Sequence, residues 1–346
     1  MAGDRKARVG IRDVAREAGV SPTTVSHSLS GKGRLPASTR ERIAKVAADL
    51  GYRPNSSARN LVSGKTDLLG IVVSESPESP FGLADFDYYV QLLTAATMAA
   101  VENGMALVVA GADREGELFE GVDVDGVIVV DPVAEDPLIR ACVENGTPVV
   151  TTGRVPDEEP GDASAFWVDN DHLRATNSIL DHLAERGGDR IALLTSLPVT
   201  SYTRDAISGY RAWCEAHGQD PSVSIVEGPV NEGAGFDTAA QLLDGPDRPD
   251  AIYATLDRLA LGTLSAAKAR GLRIPDDLIV AGCTDSKASQ WADPPLTALA
   301  LNPEEIGRRV IEMLIAVVKG EDDVPSHVVV PTKIVSRQST TRVSSK

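Results

Sequence analysis

Residues 11–31 read IRDVAREAGVSPTTVSHSLSG. Ile11, Val14, Ala15 and Ala18 fall at i, i+3, i+4 and i+7, which places them on one face of a short helix. Gly19 suits a tight turn of positive φ, and Val20 is an apolar plug before a second helix. Ser21 is a good N-cap, and Pro22 fits the first helical position because it lacks the N–H that position leaves unpaired. Val25 and Leu29 repeat at i, i+4 and are expected to face inward, leaving Thr23, Thr24, Ser26 and His27 outward. A third amphipathic helix starts near Ala37, Ser38 and Thr39, buries Ile43, Val46, Ala47 and Leu50, and is closed by Gly51. Three short helices around one small core, with a hydroxyl-rich outer face on the middle one, make a helix-turn-helix.

Charge separates this head from the rest of the chain. The 346 residues carry a formal net charge of −16, which by itself argues against a nucleic-acid partner. Residues 1–65 hold 13 Lys and Arg against 5 Asp and Glu, a net +8, so the remainder carries −24. A basic head on an acidic body is the asymmetry of a chain that meets phosphate at one end only, since the body repels DNA.

The body is large enough for a sizeable core, and its 42% apolar content with only 4% aromatics means that aliphatic side chains build it. No apolar run reaches the ~18 residues of a membrane span. Asp13 and Glu17 break the N-terminal apolar stretches, so no secretory signal is expected there. Cys142, Cys214 and Cys283 show no metal-ligand spacing and are expected to be reduced, mostly buried thiols in a cytoplasmic protein. Strand-like runs at 68–73, 105–110, 127–130, 148–151, 191–195, 251–255 and 278–282 alternate with helical patterns at 88–103, 138–145, 172–186, 203–217, 234–244, 259–270 and 304–319. Such alternation predicts parallel sheets in two α/β lobes, with ligand at the strand C-terminal ends. There is no GxSxG, no Walker A loop, no metal-spaced His pair and no cofactor-binding pattern, so no enzyme is expected.

The 11–31 stretch, followed by TRERIAKVAADLGYRPNSSARNLVSGKT at 39–66, closely resembles the LacI family of transcriptional regulators. The resemblance continues through VDGVIVV (124–130), GTPVV (146–150), VDN (168–170), GGDRIALL (187–194) and RPDAIYATLDRLALG (248–262), and then through GLRIPDDLIVAGCTD (271–285), PPLTAL (294–299) and PTKIVSRQST (331–340). It implies a DNA-binding domain at 1–53, a hinge helix or linker at 54–65, and a periplasmic-binding-protein-like core at 66–346. In that core, lobe 1 takes in about 66–165 plus 300–328, and lobe 2 about 166–296 plus 329–346. It also implies a homodimer that binds a palindromic double-stranded operator and is controlled by a small-molecule effector, a sugar or related metabolite, in the cleft. The alternative is a non-regulatory small-molecule-binding protein of the same α/β core. No leucine-heptad extension follows Thr340, so nothing supports a coiled-coil tetramer.

By the same resemblance, Pro22, Thr23 and His27 match base-contacting positions, and Ser21, Thr24, Ser26, Ser30, Arg34 and Thr39 match phosphate-contacting ones. His27 departs from the arginine usual there and offers one donor per nitrogen rather than a bidentate fork. In the hinge, Asn55, Ala58 and Arg59 join the DNA-binding set. Leu61 matches a leucine that wedges into the minor groove, while Ala58 and Val62 allow close packing of two hinge helices. Effector positions are matched by Arg204 in SYTRDAISGY and by Asp171 and Asp257, although Asp257 alone equally fits an N-cap. Leu256, Thr284 and Leu301 replace common polar partners of sugar hydroxyls, so a smaller, more apolar or anionic metabolite is expected. Phe86, Tyr88, Tyr89, Phe166, Trp167, Phe236 and Trp291 are candidate stacking walls.

Overall fold

A computed structural model describes residues 9–29, 35–52, 65–74, 87–111, 122–156, 166–197 and 199–341. It divides into two compact units, Met1–Thr66 and Asp67–Lys346. The first contains α1 (Ile11–Ala18), α2 (Pro22–Leu29) and α3 (Ala37–Asp49). Val14, Ala15, Ala18, Val25, Ile43 and Ala47 form its buried cluster. Gly19 adopts φ 64° at the end of α1, where a side chain would be strained. Asp13 caps α1 from inside, accepting the Gly10 N–H at 3.0 Å. Leu29 corrects the inward expectation: it is 37% exposed, because α2 ends there and only Val25 reaches the three-helix core.

The second unit opens with β1 (Leu68–Val73), α4 (Asp87–Glu102), β2 (Ala106–Gly111), β3 (Gly126–Val130), α5 (Pro137–Glu144), β4 (Val149–Thr152) and β5 (Trp167–Asp169). It continues through α6 (His172–Glu185), β6 (Ile191–Ser196), α7 (Ser201–His217), β7 (Ser222–Val226), α8 (Glu232–Asp244), β8 (Ala251–Ala254) and α9 (Asp257–Ala269). It closes with β9 (Ile279–Cys283), α10 (Lys287–Trp291), β10 (Thr297–Ala300), α11 (Pro303–Lys319), β11 (His327–Val329) and β12 (Lys333–Val335). These strands form two six-stranded sheets, in the orders β11-β5-β4-β3-β1-β2 and β12-β10-β9-β8-β6-β7. All pairings are parallel except β10 with β12.

Both faces of each sheet are covered, which is why the strands read as unbroken apolar runs rather than alternating ones. In β1, Leu69, Ile71 and Val73 pack on one side, beneath residues of α4 and α11, while Val72 joins a cluster with α5 on the other. In β6, Ile191 and Leu193 pack with α6 and α7, whereas Ala192 and Leu194 pack with α8 and α9. All three cysteines are free and buried.

The lobe limits differ by a few residues from those expected. Trp167–Asp169, expected in lobe 2, pairs with β4 and β11 in the first sheet, and β11 extends that sheet to Val329. Thr297–Ala300 joins the second sheet, with Leu299 paired to Cys283 and Ile334. The chain therefore completes a strand in one sheet before it crosses to the other. The expected hinge segment, including Asn55, Ala58, Arg59 and Leu61, lies outside the described residues except at its last position, and Ser30 and Arg34 also lie outside them.

Two helix pairs approach so closely that only glycine fits. A Cβ on Gly262 of α9 would lie 2.3 Å from the Glu232 carbonyl and 2.5 Å from the Phe236 nitrogen of α8; one on Gly307 of α11 would lie 2.3 Å from the Leu92 carbonyl of α4. Alanine raises helix propensity, but here the neighbouring backbone must move. Gly262→Ala and Gly307→Ala are each expected to destabilise the fold by about 1–3 kcal/mol, read as lower denaturant midpoints.

Candidate functional site

In the first unit, one outward helix surface collects the candidate polar groups. Ser21 caps α2, its Oγ accepting the Thr24 N–H at 3.1 Å and lying 2.8 Å from the Thr24 hydroxyl. Because buried Val25 fixes the rotation of α2, Ser21, Pro22, Thr23, Ser26 and His27 are exposed, and Thr24 is half-buried. Thr39 is half-buried in the first turn of α3. Three hydroxyls, a proline and an imidazole on a rigid exposed face can bond phosphates and touch base edges.

In the second unit, the C-terminal ends of both parallel sheets face each other. The segment after β3 meets the start of α7 through a bridge between Val133 and Thr200. The segment after β4 meets the same helix: a Cβ on Gly153 would lie 3.4 Å from Ser201 Oγ and 3.8 Å from Asp131 Oδ1, and Gly153 has φ 89°. Arg154 pairs with Asp205 on α7, and its Nε lies 3.8 Å from Asp169 Oδ2. Asp87 at the start of α4 accepts the Lys287 N–H of α10 at 2.8 Å.

This edge is rich in carboxylates. Asp131 accepts the Tyr89 hydroxyl at 2.7 Å. Burial pushes its carboxyl up to about 6; the Tyr89 hydrogen bond opposes the shift and the nearby Asp169 reinforces it. Asp169 is 4% exposed; its Oδ1 lies 3.0 Å from His172 Nε2, and its Oδ2 has no hydrogen-bond partner among the described residues. Burial also raises the Asp205 carboxyl, with Arg154 opposing it. At Asp257, burial raises the carboxyl and a Ser286 hydrogen bond counters it. Where β6 and β8 end, the Thr195 and Thr255 hydroxyls lie 2.8 Å apart, and the Tyr202 hydroxyl donates to the Thr255 carbonyl. The strand order reverses between β6 and β8, and such a switch point is where parallel sheets hold ligands.

The topology brings all five expected effector residues to this edge. Arg204 lies in the first turn of α7 after β6, Leu256 and Asp257 follow β8, and Thr284 follows β9 with φ 72°. Asp257 is 8% exposed and its carboxylate accepts the Arg258 N–H. Asp171 follows β5, where its charge adds to burial in raising the Asp205 carboxyl; it is exposed and accepts the Arg174 N–H at 3.0 Å as the cap of α6. Leu301 is 4% exposed and belongs to the core of the second lobe.

Most candidate stacking walls have other roles. Trp167 stacks on His327 with centroids 4.5 Å apart, Phe166 and Phe236 pack against core clusters, and Trp291 is 81% exposed on α10. Phe86 lies outside the described residues. Tyr88 and Tyr89 meet edge to face at 5.4 Å, and burial holds the Tyr88 hydroxyl well above the usual phenol range. Sequence reasoning missed Asp131, Arg154, Asp169, His172 and Asp205. A usable signal existed for two of them, since Asp131 and Arg154 are charged residues within two positions of an apolar strand run.

Comparison with known proteins adds to this geometry. Residues 10–55 match the family described as bacterial regulatory proteins, lacI family, and residues 180–340 match a periplasmic binding protein-like domain. The HTH-type transcriptional regulator CelR of Thermobifida fusca is 30% identical over 97% of this chain and 99% of its own. Catabolite control protein A of Priestia megaterium is 28% identical over 96% of this chain and 99% of its own. Among solved structures, a CelR–cellobiose complex superposes with a TM-score of 0.72 at 29% identity, covering 96% of this chain and 100% of that one. A lac repressor dimer bound to operator and the anti-inducer ONPF gives 0.83 at 25%, covering 97% and 100%.

The Asp131 environment has a pH consequence. Its folded value of about 6 lies above the ordinary 3.8, so the folded protein holds a proton that the unfolded chain releases. Stability from this group is therefore present below 3.8 and is lost as pH rises through about 6. Asp131→Asn removes that loss. Its melting temperature relative to the parent is expected to rise between pH 4 and pH 7, checked by calorimetry across that range.

Proposed function

The chain belongs to the lacI family of bacterial regulatory proteins, transcriptional regulators with a DNA-binding and an effector-binding domain, and from that premise we propose how it recognises both partners. It acts as a homodimer on a palindromic operator, with α2 in the major groove. Pro22, Thr23 and His27 read base edges while Ser21, Thr24, Ser26 and Thr39 hold phosphates. The observation that carries this reading is the exposed polar face of α2, fixed in rotation by Val25, on a head of net charge +8. Ser30, Arg34, Asn55, Ala58, Arg59 and Leu61 complete the proposed DNA contacts.

The proposed effector is a neutral, polyhydroxylated sugar held where the two lobes meet. Asp131, Asp169, Asp205 and Asp257 supply acceptors for hydroxyl donors, and an anionic metabolite would meet their repulsion. Arg154 is already shared between Asp205 and Asp169. This charge balance argues against the anionic option that the apolar replacements at Leu256 and Leu301 had suggested. Arg204, Leu256, Asp257 and Thr284 form the lobe-2 wall, with Asp171 beside it. The relatives support this class, since one is described in complex with cellobiose and another, from Escherichia coli, is a ribose operon repressor. The proposed activity is binding rather than catalysis. No helix among the described residues is long and apolar enough to cross a membrane, and an operator partner implies action in the cytoplasm.

Selection of binding sites from random DNA with the full-length protein is expected to enrich one palindrome. Its binding should be steeply salt-dependent, and His27→Ala should relax selectivity at one position of each half-site. Enrichment without a palindrome would reject the dimeric reading. In a thermal-shift series of cellobiose, ribose and their phosphorylated forms, the neutral sugars are expected to stabilise the protein more. Asp257→Ala and Arg204→Ala should each abolish most of the shift, and an undiminished shift in both would reject this site.

A further inference from the structure

Three short stretches of backbone carry the chain between the lobes: 170–171 from β5 to α6, 301–302 from β10 to α11, and 330–332 from β11 to β12. Each crossing is two or three residues long, too short for a hydrogen-bonded ladder of its own. One side chain reaches both of the other crossings from the first, that of Asn170 in the VDN stretch. Its Nδ2 donates to the Leu301 carbonyl at 3.2 Å and to the Val330 carbonyl at 2.7 Å, partners 131 and 160 positions away in the chain.

Both acceptors are carbonyl oxygens, which cannot donate. Only the amino end of the amide can face them, so the chemistry fixes which way the side chain points. Its two N–H groups match the two acceptors, one for each of the other crossings. Asn170 is 3% exposed, and its Oδ1 has no hydrogen-bond partner among the described residues. A buried acceptor left open costs stability, so this residue is poorly explained as packing material. The first crossing is itself held firmly: the Asn170 N–H donates to Asp169 Oδ1 at 2.7 Å, and the Val330 N–H donates to the Asp169 carbonyl at 2.8 Å.

We infer that Asn170 is the positioning residue of the hinge, an amide that clamps all three crossings so that the lobes turn about one common axis. Without it, the 301–302 crossing is released and the other two are left with only the Val330 N–H bond to the Asp169 carbonyl, so the lobes sample a range of relative orientations. With it, an event that closes the edge around Asp131, Arg154 and Asp205 moves one lobe as a body against the other. The inference does not depend on which effector binds.

The test uses the full-length, ligand-free protein. Hydrogen–deuterium exchange is followed in peptides covering 168–171, 299–302 and 329–332 for the parent and for Asn170→Ala and Asn170→Asp, the second of which keeps the shape and removes both donors. Exchange is expected to quicken about tenfold at all three crossings together, with peptides from β6 and α6 unchanged. Spin labels on Glu144→Cys and Glu215→Cys, exposed positions on α5 and α7, should give a narrow distance distribution in the parent and a broader one in both variants. The distance measurement reads lobe orientation, which a loss of stability alone does not change below melting. If either variant fails to fold, Asn170→Ser retains a single donor and should free one distant crossing. Acceleration confined to 168–171, or an unchanged distance distribution, would overturn the assignment.

Discussion

The second unit depends on how its two sheets share the chain. Each sheet is completed by strands that the sequence delivers late: β11 joins the first after about 250 residues, and β12 joins the second last of all. The chain must therefore cross between lobes three times, at 170–171, 301–302 and 330–332. That closure keeps the C-terminal ends of the two parallel sheets facing each other, and every proposed effector contact lies on those facing ends. The side chain of Asn170 lies where the three crossings converge.

The facing ends set the electrostatics. A parallel sheet releases its chain at the C-terminal edge, where polar side chains following the strands gather. Here Asp131, Asp169, Asp205 and Asp257 gather, and burial penalises the ionised forms of Asp131, Asp205 and Asp257. Such a site is poorly satisfied when closed on itself: Asp169 Oδ2 has no hydrogen-bond partner among the described residues, and Arg154 approaches it only to 3.8 Å. Hydroxyl donors relieve that imbalance and additional anions aggravate it. The same acidity over the body, −24 against +8 in residues 1–65, disfavours DNA contact by the body.

Legibility followed the range of the interaction that made each element. The helices of the head and the larger helices of the body were readable because capping and 3.6-residue periodicity are local; Ser21 caps α2 and Gly19 turns the chain as their types suggest. Leu29 was misread because burial at a helix end depends on what lies opposite, which periodicity does not report. Short strands such as β5, β10 and β11 gave no signal of their own. At three or four residues they exist through pairing with distant partners, as in Val328 with Val168. Asp131 and Arg154 follow apolar strand runs, which marks them as edge residues, but what makes them part of a site is the opposing lobe that encloses them, and no local pattern reports that.

The sequence by itself determined that there is a helix-turn-helix with Val25 inside and Ser21 to His27 outside, that a basic head precedes an acidic body, and that the body is built of alternating β and α units. Each of these is a property of neighbouring residues or of composition. Only the tertiary structure decided which sheet β5 and β10 belong to, that Asp171 caps a helix, and that Arg154 reaches Asp205 across the lobes. Those outcomes rest on contacts between residues tens to hundreds of positions apart, where the free energy comes from desolvation and pairing across the fold and no local pattern records it.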